Sequence, residues 1–235
     1  MSEPAHSELD LATTLRPGLD ILADEIVIAL KKRSRFVQNR SIYRPGLVRA
    51  STDTTLLDYS LHEVEKLHAA LGRYTFATQE AFTDIDAVPL AIVRQAPESP
   101  VLQTRTGIAR EVRDYYLDWV DRVCLPGEDS ASFGETVTSD VVALHAVMER
   151  INLGKPVAEV KYREHERAIH DSRGDRDLLL ELIRHPPRET AVLQLAERLA
   201  ERYELDPDPV RDFFTFMIET TVEVEINYLR QRIGL

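Results

Sequence analysis

The sequence predicts an all-α protein, a multi-helix bundle with long central and C-terminal helices. Two observations carry that expectation. Apolar residues recur at three- and four-residue steps through much of the chain, the spacing of helices that bury one face. No strand–helix alternation, glycine-rich phosphate loop or internal repeat runs through the 235 residues. The length suits one large domain or two small ones with a substantial core, and residues 1–235 are read as one domain.

Taken in order, the chain begins polar, with a short helix expected around Glu8 to Thr14. Leu19, Leu22, Ile26, Ala29, Leu30 and Phe36 set a helical period from Leu19 to Val37. Pro17 is tolerated ahead of it, because a first-turn amide needs no intrahelical partner. Asn39 to Thr55 carries Pro45, Gly46 and several Ser/Thr residues and reads as a loop. Leu56 to Tyr74 is helical, with Leu57, Leu61, Val64, Leu67 and Leu71 on one stripe. Ala81 to Gln103 holds three prolines and reads as a long connection. Thr106 to Val123 is helical, with Tyr115, Tyr116 and Trp119 assigned to packing. Pro126-Gly127 then breaks the chain.

Phe133 to Arg163 is a long helix-rich run around which the rest is organised. Val141, Leu144, Val147, Met148 and Ile151 mark its apolar face, and Gly154-Lys155-Pro156 is a point where the axis can bend. Helix continues to about His170. Asp177 to His185 follows, stopped by Pro186-Pro187, then Glu189 to Tyr203, stopped by the proline pair Pro207 and Pro209. Val210 to Ile233 is the last helix, its weak Thr220-Thr221-Val222 turns left to packing.

A formal net charge of −11 argues against a nucleic-acid partner. One cysteine, Cys124, rules out an internal disulfide, and no CxxC or HExxH pattern offers a metal site. The start MSEPAHSELD has no apolar signal core, and no apolar run approaches the roughly 20 residues that span a bilayer. The expectation is a soluble cytoplasmic protein without metal or cofactor.

Three places concentrate polar groups on otherwise apolar helices. Arg150 and Lys161 are eleven residues apart. At about 100° per residue they leave the same side of a continuous helix. They fit a dianionic ligand or solvated surface, and spacing alone favours the latter. Thr221 and Glu225 are helical neighbours. Glu223 and Glu225 alternate with Val222, Val224 and Ile226, so one of the two acids is expected to face inward. Arg16 stands alone at the head of an apolar helix. Together these groups can line a polar cavity inside a bundle. No nucleophile constellation stands out.

At these residues the chain resembles the all-helical chorismate mutases in their larger fungal and plant form. The resemblance runs from about residue 10 to the C-terminus. It is carried by RSRF at Arg33 to Phe36, LLDYSLHEVE at Leu56 to Glu65, and FGETVTSD at Phe133 to Asp140. The most specific pieces are RINLGKPVAEVKY at Arg150 to Tyr162 and TVEVEINYLRQRI at Thr221 to Ile233.

The resemblance implies rearrangement of chorismate to prephenate, in a homodimer with one site inside each helical bundle. It implies that Arg16, Arg150 and Lys161 bind substrate, that Thr221 and Glu225 form a C-terminal pair, and that Glu189 meets the substrate hydroxyl. His185 stands where fungal members carry an asparagine. The family's effector site for tyrosine or tryptophan implies roles for Arg73, Gly134 and Thr138. Gly72 and Glu135 depart from its pattern there, so reduced or altered regulation is expected. Two other readings are a 4-amino-4-deoxychorismate mutase and a non-catalytic helical regulatory subunit.

Overall fold

The computed structural model describes residues 11, 15–85, 87–95 and 98–235, so the helix expected around Glu8 to Thr14 lies outside the described residues save for Leu11. Among the described residues there are eight α-helices and no strand beyond one isolated bridge between Pro45 and Thr55. The all-α expectation holds.

Helix α1 spans Arg16–Arg33, with Pro17 in its first turn, and buries Leu22, Ala23, Ile26, Val27, Ala29 and Leu30. It stops earlier than the apolar period predicts, because Arg33 turns inward. Its guanidinium donates to the carbonyls of Phe36, Val37 and Gln38 at 3.3, 3.1 and 2.8 Å. Those residues wrap the buried cation instead of extending the helix. Arg33 Nε pairs with Asp140 Oδ1 at 2.7 Å, and Tyr116 and Tyr43 donate to the same carboxylate.

Helix α2, Leu56–Ala70, is capped by Thr55 and buries Leu57, Leu61, Glu65 and Ala69. Leu67 and Leu71, expected on the inner stripe, are 60% and 46% exposed. The reason is Glu65. Its carboxylate accepts the backbone N–H groups of Phe82 and Thr83 at 2.7 and 2.8 Å, so the following connection folds onto that face. Buried Lys155 fastens the same connection further along, donating to Ala77 O, Thr104 O and Glu80 Oε1 at 3.0, 2.7 and 2.8 Å.

Helix α3, Ala109–Val123, packs Tyr116 and Trp119 into the core, as their assignment to packing requires. The long run from Phe133 is two helices, α4 (Phe133–Asn152) and α5 (Gly154–Asp171), parted at Leu153. Pro156 has no N–H to give Asn152 O, which is why the ladder breaks there. Helix α6 is Arg176–Ile183, α7 is Pro186–Arg202 and α8 is Pro207–Arg232. The proline pairs read as stops instead open α7 and α8, where a missing first-turn N–H costs nothing.

Helix α4 packs against α1, α2, α3 and α8, and α8 packs in turn against α5, α6 and α7. The apolar core lies along α4 and the first half of α8. A second cluster lies between α5, α6 and the last turns of α8. Among the described residues no helix is long and apolar enough to cross a membrane.

Candidate active site

Between the two clusters a cavity of about 580 Å³ opens where α1, α5, α7 and α8 meet the last turn of α4. All seven residues named as catalytic or substrate-binding candidates line it: Arg16, Arg150, Lys161, His185, Glu189, Thr221 and Glu225. Arg150 and Lys161 reach it from different helices, so the single-helix argument for their shared side is replaced by a break that keeps them together.

Arg150 closes α4 and is 5% exposed, with its guanidinium 5.4 Å from the Phe214 ring. Its Nε has no hydrogen-bond partner, and among the described residues it makes no ion pair. Burial lowers its pKa to about 10; the nearby charge of Arg188 adds to that and Asp20 opposes it. At neutral pH it is still a cation. A buried cation without a counter-ion calls for an anionic ligand.

Lys161 Nζ donates to Ile183 O and to Glu225 Oε2, each at 2.7 Å. That leaves one of its three donors. Glu225 faces inward at 6% exposed, whereas Glu223 is on the outside with Arg176. Burial pushes the Glu225 carboxyl above the usual range; Lys161 holds it back, and Glu189 adds to the rise. A carboxyl raised in this way can donate a hydrogen bond as its protonated form.

The seam between α5 and α8 is tight at Gly154. A Cβ there would stand 2.9 Å from Thr221 Cγ2, 3.2 Å from Thr221 O and 3.4 Å from Glu225 Cγ. Thr221 itself donates to Met217 O at 2.7 Å. Its hydroxyl proton is therefore committed to the backbone of its own helix, although the residue lines the cavity.

The α6–α7 junction supplies the remaining wall. His185 caps α7, its Nδ1 accepting the Arg188 N–H at 3.2 Å, so only Nε2 is left for a ligand. Glu189 sits 3.3 Å from Arg184. Arg16 is exposed at the mouth, at the head of α1. Arg188, not singled out in the sequence, also lines the cavity and pairs with Asp20 of α1 at 2.7 Å. Its signal lay in the helix start: with Pro186 at the first position, residue 188 falls one turn from His185 on the same side.

The expected effector residues do not converge within one chain. Arg73 donates to Gln79 Oε1 and Glu149 Oε2, each at 2.8 Å. Gly134 and Thr138 are exposed near the start of α4. Eleven helical residues separate Thr138 from Glu149, about 16 Å along the axis. Gly72 adopts a left-handed φ of 78° at the end of α2, and Arg94 Nη1 donates to its carbonyl at 2.8 Å. A second guanidinium thus stands where the resemblance loses one.

Fold and cavity together define an all-helical protein with an inner pocket lined by Arg16, Arg150, Lys161 and Arg188. The family model for chorismate mutase type II matches residues 134–226. A chorismate mutase of Emericella nidulans is 30% identical over 254 residues, covering 97% of this chain and 94% of that protein. The crystal structure of a Candida albicans chorismate mutase in complex with L-Trp superposes with a TM-score of 0.89 at 26% identity, covering 96% of this chain and 92% of that one. AtCM1 with tyrosine bound in its allosteric site gives a TM-score of 0.85 at 25% identity, covering 97% and 99%. The chain belongs to the chorismate mutase family.

Proposed function

We propose that this chain converts chorismate to prephenate in phenylalanine and tyrosine biosynthesis, with the seven cavity residues as its machinery. The observation that carries the reading is Arg150, a buried cation that lines the cavity and whose Nε has no hydrogen-bond partner. The reaction breaks one C–O bond and forms one C–C bond within a single molecule, and no proton is transferred. The work is therefore positioning and electrostatics.

Arg150 from inside and Arg16 from the mouth take the two carboxylates and hold the flexible substrate in a compact, chair-like form. As the C–O bond parts, negative charge gathers on the ether oxygen. The remaining Lys161 donor and the protonated Glu225 carboxyl meet that charge, and they bind the transition state better than the ground state. Glu189 takes the ring hydroxyl, while Thr221 and His185 Nε2 complete the wall.

The surface of α2 and the following connection exposes Leu67, Leu71, Phe76, Leu90 and Ile92. An apolar patch of this kind supports a homodimer, and sedimentation that returns a monomer would refute it. A second copy would also bring Gly134 and Thr138 to another chain's Arg73, the condition for an aromatic amino-acid site. With Glu135 and Gly72 in place, regulation is reduced or altered. Clear inhibition by sub-millimolar tyrosine would refute that. One buried free cysteine suits a reducing, cytoplasmic setting, and fractionation of cells tests it.

Ultraviolet absorbance of chorismate tests the whole reading. The wild type should consume it, and Arg150→Ala should lose about 30-fold or more in kcat/KM, the cost of leaving a carboxylate unpaired. A wild type without activity would favour a non-catalytic helical subunit.

A further inference from the structure

Glu159 is 1% exposed and lies outside the cavity, yet it joins the same two helices as Lys161 does. Its Oε2 accepts the Tyr228 hydroxyl at 2.7 Å and Arg232 Nε–H at 3.1 Å, both from α8. Its Oε1 accepts Arg163 Nε–H at 3.0 Å, one turn further along α5. Arg232 also lies over the Tyr162 ring of α5, 4.4 Å from its centroid. The Tyr228 oxygen accepts the Leu102 N–H at 3.1 Å, so the connection after α2 closes on the same point.

Helices α5 and α8 run in the same direction along this seam. Gly154 lies against Thr221 and Glu225, and Glu159 against Tyr228 and Arg232. The apolar contacts between them, Ala158, Val222, Ile226 and Leu229, are non-directional. Lys161 reaches Glu225 through a flexible four-carbon stem. Neither fixes how far one helix slides or rolls on the other. A buried carboxylate with directional, charge-assisted donors does. Glu159 and Lys161 are two residues apart, so they leave α5 about 200° apart and meet α8 from its two flanks. With α8 held on both, α5 cannot roll without breaking one contact.

We propose that Glu159 is a positioning residue: through Tyr228 and Arg232 it locks the register of α8 on α5, and so aims Lys161 and Glu225 at one point in the cavity. The inference rests on the cavity being the chorismate site. The carboxylate grips come from α1 and α4, outside this seam, so loss of Glu159 acts on the chemical step and spares substrate binding.

Steady-state kinetics on Glu159→Gln, Tyr228→Phe, their double variant and Lys155→Met test this, with rates taken per folded enzyme after circular dichroism. Lys155→Met is the control, since Lys155 lies on α5 and holds the same connection without touching α8. Glu159→Gln should lower kcat about tenfold with KM changed less than about twofold. Tyr228→Phe should lower kcat about threefold, and the double variant should be no worse than Glu159→Gln. Lys155→Met should lose stability and keep its kcat. Wild-type kcat in folded Glu159→Gln overturns the inference whatever its Tm. An equal fall in Lys155→Met also overturns it, because the network would then be packing alone. If Glu159→Gln fails to fold, Tyr228→Phe decides, and an unchanged kcat there is fatal. Arg150→Ala, run alongside, separates the two failures. An impaired Arg150→Ala with an unaffected Glu159→Gln sinks this inference alone, whereas an unaffected Arg150→Ala sinks the cavity reading beneath it.

Discussion

A single methyl group at position 154 should separate packing from catalysis. In Gly154→Ala the new Cβ would stand 2.9 Å from Thr221 Cγ2 and 3.2 Å from the Thr221 carbonyl. Ordinary contact requires α5 and α8 to part by about half an ångström. Alanine favours helix over glycine by about 1 kcal/mol, while overpacking costs about 1–3 kcal/mol. The net loss is then at most about 2 kcal/mol, a fall in Tm of no more than about 8 °C. Catalysis should suffer more, because Lys161 and Glu225 face each other across this seam at 2.7 Å. A displacement of 1 Å can cost about a hundredfold, so half of that should lower kcat about tenfold. Thermal melting and initial rates measure the two effects side by side. Thr221→Ser removes the nearest methyl group and should restore part of kcat in the double variant. Unchanged kcat in Gly154→Ala would refute the claim that this seam sets the geometry of the ether-oxygen donors.

Glu225 sets the pH dependence. Its carboxyl is raised by burial, so the protonated donor persists above the ordinary carboxylate range. Activity should be highest at mildly acidic pH and fall as pH rises through the folded-state pKa, while Glu225→Gln should flatten the profile. The same shift makes Glu225 a source of stability at low pH that is lost as pH rises through that pKa, which denaturant unfolding across pH reads directly. Lys155 is the buried anchor of the connection after α2, and Lys155→Met leaves Glu80 without its cation. It should cost about 3–5 kcal/mol and speed hydrogen exchange across residues 77–106 before the helices of the core. Uniform exchange across the chain would count against a local anchor.

The fold was legible because periodicity reports burial, and burial makes this bundle. It failed where one polar side chain redirected the backbone. Arg33 ended α1 early by drawing three carbonyls around itself, and Glu65 drew the connection onto α2, turning Leu67 and Leu71 outward. No apolar pattern announces a buried arginine or glutamate. The proline pairs misled for a related reason, since proline ends one helix and begins the next with equal ease.

Within the site, Arg150 and Lys161 stood out by spacing, yet spacing alone favoured solvent. Only neighbouring sequence distinguished the alternatives, and the cavity now holds both. Arg188 was missed because its place at the cavity goes with its pairing to Asp20 of α1, a contact 168 residues apart in sequence.

The most direct test of the account is calorimetry of a bicyclic ether dicarboxylate that mimics the chair-like transition state. Its two carboxylates address Arg150 and Arg16, and its ether oxygen addresses Lys161 and Glu225. Titrations between pH 5 and 9, in buffers of different ionisation enthalpy, count the protons taken up on binding. Binding should be tight, with uptake rising toward one proton as pH passes the Glu225 pKa, and no uptake in Glu225→Gln. Tight binding by the wild type without proton uptake anywhere in that range would contradict it.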